Sequence, residues 1–118
     1  MVIGIGIDLV DVARVTRMLE RDAERYAARL LTDGEWAYCS GMQRPATHVA
    51  VRLAAKEAAF KALAGTEDAR AIGWREIEVV HGPHRAPELR LHGRAAARLE
   101  ELGGSRVFVS LTHSESSA

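Results

Sequence analysis

Two acidic side chains and one lysine have the chemistry needed to hold a metal ion beside a phosphate. Asp8 ends the β-branched segment VIGIGID, whereas Glu57 and Lys61 stand one helical turn apart in the stretch RLAAKEAAFKALAG. Mg²⁺ typically takes one or two protein carboxylates together with waters and substrate phosphates, and a neighbouring lysine would share the neutralisation of the phosphate charge. The alternative is structural: Asp8 would cap a helix, and Glu57 and Lys61 would form a surface pair of little energetic worth.

The same stretch carries two more cations, Arg52 and Lys56, which are also four residues apart. At about 100° per residue, the alanines of this stretch fill one arc of a helix and the bulkier apolar residues fill a second arc. The charges lie at the two borders between these arcs instead of on one solvated stripe. Arginine offers a planar fork and lysine a compact point charge, so both suit phosphate oxygens. The alternative is that both side chains follow an apolar flank out to water.

Two hydroxyls and a histidine close the last apolar segment, RVFVSLTH. Ser110 and Thr112 share one face of a predicted strand and His113 follows them. This trio suits a phosphate or a ribose, but it equally suits the polar end of an ordinary edge strand. The sequence contains none of the G-x-S-x-G, Walker A or G-x-G-x-x-G motifs, which argues against a serine hydrolase and against the common nucleotide-binding loops.

Four arginines recur along the first predicted helix at the spacing i, i+3, i+7 and i+11: Arg14, Arg17, Arg21 and Arg25. These charges repel one another unless something negative neutralises them. Nearby aspartates and glutamates offer local neutralisation on a solvated face. Without it, the natural partner is an acidic protein surface, since charge complementarity speeds encounter and sets orientation.

The segments that must position these groups mix helices and strands without regular βαβ alternation, which predicts an α+β fold. Residues 2–8 are predicted to form a buried strand, and the helical pattern starts at Leu9. TDGE has the capping-box spacing for a short helix, and Pro45 suits the first turn of the helix that runs to about Gly65. The remaining predicted elements are antiparallel strands at 74–81 and 88–92, an amphipathic helix at 93–104 and a final strand at 106–113.

Length and charge restrict the class of protein. The 118 residues suffice for a single domain, residues 1–118. Sixteen basic residues balance 16 acidic ones, so no global field favours nucleic acid or an anionic membrane, and we expect neither as a partner. A single cysteine, Cys39, excludes an internal disulfide and suits a reducing cytosol. The N-terminal segment lacks the pattern of a signal peptide, and no apolar run has membrane-spanning length, so we expect a cytoplasmic location.

Four stretches, in order and in register, resemble the holo-[acyl-carrier-protein] synthase family, the small bacterial type of 4′-phosphopantetheinyl transferase. GIGIDLVDVARV resembles the family's opening strand and helix, RLAAKEAAFKALAG its most specific signature, GWREIEVV its central strand and VSLTHS its closing motif. Thr112 stands where serine is commoner and keeps the hydroxyl. The family usually continues with an aromatic residue and another apolar strand, whereas HSESSA follows here, so this strand is short or missing.

The resemblance implies a pseudo-threefold α+β fold that assembles as a homotrimer with active sites between subunits. It implies Mg²⁺-dependent transfer of the phosphopantetheine arm of coenzyme A to a serine of apo acyl carrier protein, releasing adenosine 3′,5′-bisphosphate. Asp8 and Glu57 would bind the metal and act in catalysis with Lys61, and Glu57 would also receive the serine proton. The implied binding residues are Arg52, Lys56, Ser110, Thr112 and His113 for coenzyme A, and Arg14, Arg17, Arg21 and Arg25 for the carrier protein.

Two other functions stay open at this point. One is a non-catalytic module that binds coenzyme A or the carrier protein without transferring anything. The other is a Mg²⁺-dependent nucleotide hydrolase, which would release phosphate or bisphosphate with no carrier present. Binding of coenzyme A does not separate the enzyme from the module, but modification of the carrier does.

Overall fold

The computed structural model describes residues 1–118, apart from the side chain of Asp68. Helices surround a two-stranded antiparallel sheet, so the predicted α+β class is confirmed. In the described chain the elements follow one another as α1 (Val12–Leu30), α2 (Asp33–Ser40), α3 (Pro45–Leu63), α4 (Glu67–Arg70), β1 (Ile77–His81), β2 (Pro87–Leu91) and α5 (Gly93–Glu101).

The predicted starts of α2 and α3 are confirmed. Thr32 accepts a hydrogen bond from the Glu35 backbone N–H, and the Glu35 side chain accepts one from the Thr32 N–H, which completes a capping box. Pro45 opens α3, which ends at Leu63, close to the predicted glycine stop. Both starts follow from local hydrogen-bonding chemistry, which is why a local sequence pattern suffices to find them.

Helix α1 differs from its prediction in two ways. It begins at Val12 instead of near Leu9, because the Asp11 side chain caps it by accepting from the Ala13 N–H at 3.1 Å. Asp22 then interrupts it with non-helical angles (φ −165°, ψ 82°). The Asp22 carboxylate accepts a hydrogen bond from the backbone N–H of Arg25 at 3.2 Å, so it restarts the helix as a second cap.

The predicted hairpin is confirmed, with Val79 opposite Leu89 and Ile77 opposite Leu91 in an antiparallel register. Ile77 and Val79 are buried, as their alternation predicts. Residues 74–76 form a 3₁₀ turn instead of the first part of the strand. Ile77 packs with Ala59, Leu63 and Ala95 in one apolar cluster, so the sheet and α5 rest on the C-terminal half of α3.

Two predicted strands, residues 2–8 and 106–113, are not formed in the described backbone. A strand needs a hydrogen-bonded neighbour, and these segments instead line an open groove of about 1150 Å³ together with one face of α3. Several of their apolar side chains, including Ile5, Ile7 and Phe108, are exposed. The two ends of the chain pair at the end of the groove, where Val10 and Ala118 exchange backbone hydrogen bonds of 2.7 and 2.9 Å.

The main apolar core lies between α1, α2 and α3. Val15 of α1, Leu31 after it, and Val49 and Ala50 of α3 are almost fully buried there. Helix α3 is thus the central element, with the core on one side and the groove on another. Among the described residues, none of the helices is both long enough and apolar enough to cross a membrane.

Candidate active site

The N-terminal segment runs antiparallel along α3, because two glycines let its backbone touch the helix. A Cβ on Gly4 would lie 2.5 Å from the carbonyl oxygen of Ala62, and one on Gly6 would collide with that of Ala58. Two extended residues span about 6.6 Å and one helical turn about 5.4 Å, so the segment passes roughly one turn of α3 for every two residues. Asp8 follows Gly6 by two residues, so the same spacing brings Asp8 level with the turn of α3 that precedes Ala58.

Lys61 of α3 forms two hydrogen bonds with the N-terminal segment. Its ammonium donates hydrogen bonds of 3.0 Å to Asp8 Oδ1 and of 3.0 Å to the carbonyl oxygen of Ile7. The Asp8 side chain is 18% exposed and that of Lys61 52% exposed, and both residues line the groove. Helical side chains lean toward the N-terminus, so the ammonium points back toward the turn that carries Glu57.

The structure therefore brings the first and second motifs together. Asp8 and Lys61, 53 residues apart in sequence, are in direct contact. Glu57, which is partly exposed, lies one turn before Lys61 on the same face of α3, where neighbouring side chains have Cβ atoms about 5–6 Å apart. Asp8 and Lys61 thus line the groove, and the Glu57 carboxylate stands one helical turn away from Lys61.

Lys56, the second lysine of the stretch, has a different environment. Its side chain is 1% exposed, and its ammonium donates to Glu35 Oε1 at 2.7 Å and to the carbonyl oxygens of Trp74 at 2.8 Å and Ile77 at 2.6 Å. Burial lowers the pKa of Lys56, against the opposing effect of the Glu35 carboxylate. Because its three N–H donors all have protein acceptors, the structure does not support the predicted phosphate contact of Lys56, and we assign it a structural role.

Arg52 is the other cation predicted to hold phosphate, and its environment is incomplete. It is 3% exposed, donates one hydrogen bond to the carbonyl oxygen of His48 at 3.1 Å, and lies 4.5 Å from the centre of the Tyr38 ring. In the described part of the chain its buried Nε has no hydrogen-bond partner. A buried guanidinium with an unused donor is unusual, and an incoming anion would satisfy it.

The structure separates the predicted trio of the last segment. The His113 ring lies 6.5 Å from the His48 ring, on the Arg52 side of α3. Ser110 and Thr112 are exposed and line the groove with Asp8 and Lys61. Ser110 and Thr112 thus lie on the side of Asp8 and Lys61, whereas His113 lies on the side of Arg52. The three residues do not share one strand face.

Sequence reasoning did not find Tyr38, His48 and His81 as neighbours of Arg52. A lone histidine on a helix or at a strand end is weak information in a single sequence, and these residues are far apart along the chain. The available signal was that His48 precedes Arg52 by four residues, which places both on one helical face.

The kink in α1 divides the arginine row. All four arginines are exposed, but Arg14, Arg17 and Arg21 precede the non-helical Asp22, whereas Arg25 follows it. Helical spacing therefore does not hold across the row, and the four do not form one continuous stripe. The predicted docking of a carrier protein stays a prediction, and the first three arginines keep the regular spacing on which it was based.

Comparison with known proteins identifies the class to which this fold and site belong. The sequence profile of the 4′-phosphopantetheinyl transferase superfamily matches residues 4–111. The chain therefore belongs to this superfamily, and the predicted resemblance is confirmed. Within it, the chain is similar to the holo-[acyl-carrier-protein] synthase of Geobacter sulfurreducens, with 43% identity over 113 residues that cover 96% of this chain and 89% of the relative.

Solved structures agree with the fold. The crystal structure of holo-[acyl-carrier-protein] synthase from Neisseria meningitidis superposes with a TM-score of 0.84 at 31% identity, covering 99% of this chain and 93% of that one. The synthase from Bacillus anthracis, in complex with coenzyme A (3′,5′-ADP), gives a TM-score of 0.71 at 30% identity, covering 99% and 90% of the two chains.

Proposed function

We propose that this chain transfers the 4′-phosphopantetheine group of coenzyme A to a serine hydroxyl of apo acyl carrier protein. Its superfamily and its synthase relatives support this transfer, and coenzyme A in the Bacillus anthracis structure supports the donor. The observation on this chain that carries the proposal is the contact of Lys61 with Asp8, which assembles charged groups from both motifs at an open groove. Release of adenosine 3′,5′-bisphosphate, a homotrimer and a cytoplasmic location are finer predictions that belong to the same proposal.

Mg²⁺ fits the donor set at the groove. Asp8 and Glu57 offer the hard oxygen ligands that this ion prefers, and the ion characteristically leaves room for waters and substrate phosphates. Within the described residues, no group of three His, Cys, Asp or Glu side chains forms a complete protein cage for a metal, which suits an ion that shares its coordination with substrate. Bound there, Mg²⁺ would supply positive charge to the pyrophosphate.

The groups of this chain then act by position and charge. The serine oxygen forms a bond to the phosphorus that carries the pantetheine arm, and the bond from this phosphorus to the bridging pyrophosphate oxygen breaks. The leaving bisphosphate gains negative charge as this happens, and Lys61 is placed to stabilise it. Glu57 accepts the proton of the serine hydroxyl, so that the serine oxygen does not carry it in the new phosphoester bond.

A second group of side chains is placed to bind the distal phosphate of coenzyme A. Arg52 and His113 lie on the same side of α3, and Arg52 precedes Glu57 by five residues, which corresponds to about 7.5 Å along the helix axis. Ser110 and Thr112 line the groove with Asp8 and Lys61 and offer hydroxyl donors. We propose that Arg14, Arg17 and Arg21 attract the acidic surface of the carrier protein, with Arg25 beyond the kink.

The test is a transfer assay read by the mass of the carrier protein. Incubation with coenzyme A, Mg²⁺ and apo acyl carrier protein should add one phosphopantetheine arm, and chelation of the metal should stop the addition. Glu57→Gln should abolish transfer, whereas Glu20→Gln, the same change at an exposed position of α1, should not.

Two outcomes would replace the proposal. An unchanged carrier at saturating coenzyme A, with normal coenzyme A binding, would favour the non-catalytic module. Release of bisphosphate in the absence of any carrier, at a rate similar to that with carrier, would favour the hydrolase.

A further inference from the structure

Lys61 engages two oxygen atoms that a metal ion at the groove could otherwise use. Its ammonium donates to Asp8 Oδ1 and to the carbonyl oxygen of Ile7, at 3.0 Å in each case. Carboxylate and backbone carbonyl oxygens are both ligands that divalent cations accept. A cation bound to either atom would meet the ammonium charge at close range. While these hydrogen bonds hold, the Asp8 carboxylate therefore offers a metal one oxygen, Oδ2, instead of two.

The backbone is fixed on both sides of Asp8, so this carboxylate is not free to turn its other oxygen toward a metal. Before it, Gly6 packs so closely on α3 that a Cβ at this position would collide with the carbonyl oxygen of Ala58. After it, Val10 and Ala118 exchange backbone hydrogen bonds of 2.7 and 2.9 Å. The Asp8 side chain itself is 18% exposed. The number of oxygens that this residue offers is thus set by the contact with Lys61.

A rigid site with few protein oxygens suits Mg²⁺ better than Ca²⁺. Ca²⁺ takes about six to eight oxygen ligands, often from carboxylates that bind through both oxygens, and it accepts flexible geometry. Mg²⁺ is smaller, requires nearly octahedral coordination and keeps several waters, so one or two carboxylates suffice for it. Removing Asp8 Oδ1 and the Ile7 carbonyl from the ligand set therefore costs Ca²⁺ more than it costs Mg²⁺.

Repulsion by the Lys61 charge does not produce such a preference. Both ions carry two positive charges, so the ammonium opposes their binding to a similar extent. Occupying oxygens acts unequally, because ligand number, cavity size and flexibility are what distinguish the two ions in proteins. The ratio of the two affinities consequently separates the loss of ligands from the effect of charge.

We propose that Lys61 determines the specificity of the site for its metal, favouring Mg²⁺ over Ca²⁺ by holding Asp8 Oδ1 and the Ile7 carbonyl. The inference rests on the proposed function, since it needs a metal bound at Asp8 and Glu57 beside the pyrophosphate. It adds to the part of Lys61 in the transfer and does not conflict with it. The described hydrogen bonds use two of the three N–H donors of lysine, so the third can meet a phosphate oxygen.

Competition with Mn²⁺ measures this preference without any transfer taking place. Mn²⁺ is bound to the protein in the presence of coenzyme A, and electron paramagnetic resonance reports the free ion as Mg²⁺ or Ca²⁺ displaces it. Titrations of coenzyme A alone supply the blank. We expect Mg²⁺ to displace Mn²⁺ from the parent protein at a lower concentration than Ca²⁺ does. In Lys61→Met this ratio should shift roughly three- to tenfold toward Ca²⁺, because two oxygens become available.

Two further variants serve as controls. Lys61→Arg keeps a cationic donor at this position, so its ratio should stay near that of the parent protein. Arg75→Met removes a pair of similar length elsewhere on the surface, between half-exposed Arg75 and Asp33 at 3.1 Å, and should leave the ratio unchanged. Thermal unfolding of each variant checks that the fold is retained.

Equal strengthening of Mg²⁺ and Ca²⁺ binding in Lys61→Met would overturn the inference, since Lys61 would then act by its charge alone. An unaltered ratio, or a parent protein that binds no Mn²⁺ beyond the blank, would overturn it as well. The carrier-modification assay is an independent result. An unmodified carrier together with a shifted ratio in Lys61→Met would contradict the proposed transfer and leave the metal preference standing.

Discussion

Two lysines of α3 lie five residues apart and differ in almost every physical respect. Lys56 is buried, pairs with Glu35 at 2.7 Å and also donates to two backbone carbonyls. Lys61 is half exposed, pairs with Asp8 at 3.0 Å and borders an open groove. Lysine therefore has a structural role at position 56 of this helix and, in our proposal, a catalytic role at position 61.

The difference lies in what surrounds each ion pair. Glu35 binds Lys56, the backbone N–H of Val79 at 2.9 Å and the N–H of Thr32 at 2.9 Å, so one buried carboxylate connects α2, α3 and β1. Breaking a buried pair strands a charge away from water, whereas breaking an exposed one releases both charges to solvent. Stability should depend on the first pair and catalysis on the second.

The largest expected effect is on stability at Lys56. Lys56→Met leaves the Glu35 carboxylate buried without its counter-charge, which should lower the free energy of unfolding by about 3–5 kcal/mol. Urea unfolding followed by circular dichroism measures this. The double variant Lys56→Met with Glu35→Gln, which removes the stranded charge and keeps the acceptor for Val79, should recover part of the loss. A single-variant loss below about 1 kcal/mol would contradict the role of this pair.

The matched change at the second lysine should act on catalysis instead. Lys61→Met removes a cation placed to stabilise the leaving bisphosphate, so the transfer rate should fall roughly 10²- to 10³-fold. Its free energy of unfolding should change by no more than about 1 kcal/mol, because the Asp8–Lys61 pair is exposed. The carrier mass assay and urea unfolding together give both numbers. Equal losses of stability at Lys56 and Lys61 would remove the distinction between the two pairs.

Two histidines, His48 and His81, should make the stability of the fold depend on pH. The pKa values of His48 and His81 are lowered by burial and by neighbouring cations, so the unfolded chain binds protons at a higher pH than the folded one. Stability therefore falls as the pH drops below about 6.5 toward the folded-state values, and this contribution is constant above it. Chemical unfolding between pH 7.5 and 5 measures the slope, which should become shallower in His48→Gln. An unchanged slope in that variant would contradict the effect.

The smallest expected effect concerns the exposed arginines of α1. Arg14→Glu should slow encounter with the acidic carrier protein by roughly two- to tenfold at low salt and flatten the salt dependence of the rate, because rim charges act mainly on association. Stopped-flow or initial-rate measurements at several salt concentrations test this, with Arg29→Glu, outside the row, as the control. The affinity for coenzyme A should be unchanged. An unaltered salt dependence in Arg14→Glu would move the docking surface elsewhere.

Local chemistry explains which features the sequence predicts well. The Thr32 capping box, the Pro45 helix start and the β1–β2 hairpin follow from interactions among residues close in sequence, and all three are confirmed. The strands at 2–8 and 106–113 were wrong for the described chain, because alternating apolar residues specify a face but not a neighbouring strand with which to form hydrogen bonds.

The site was predicted unevenly for the same reason. Asp8, Glu57 and Lys61 were found by residue type and resemblance, and Lys61 does reach Asp8. The i, i+4 spacing of Arg52 and Lys56 does not predict their burial. For Lys56, the partner that makes burial possible is Glu35, which comes from another helix. Tyr38 and His81 were missed because they reach the surroundings of Arg52 from α2 and from the end of β1, and no local pattern encodes such contacts between elements.

Gly6 sets the position of the reactive end of the N-terminal segment. Any side chain at this position would meet the carbonyl oxygen of Ala58, and the strain would be relieved by lifting the segment away from α3. Asp8 follows only two residues later, so such a displacement would be passed to its carboxylate almost undiminished. The alignment of this acidic group is thus decided by an absent methyl group at a position that takes no part in the chemistry.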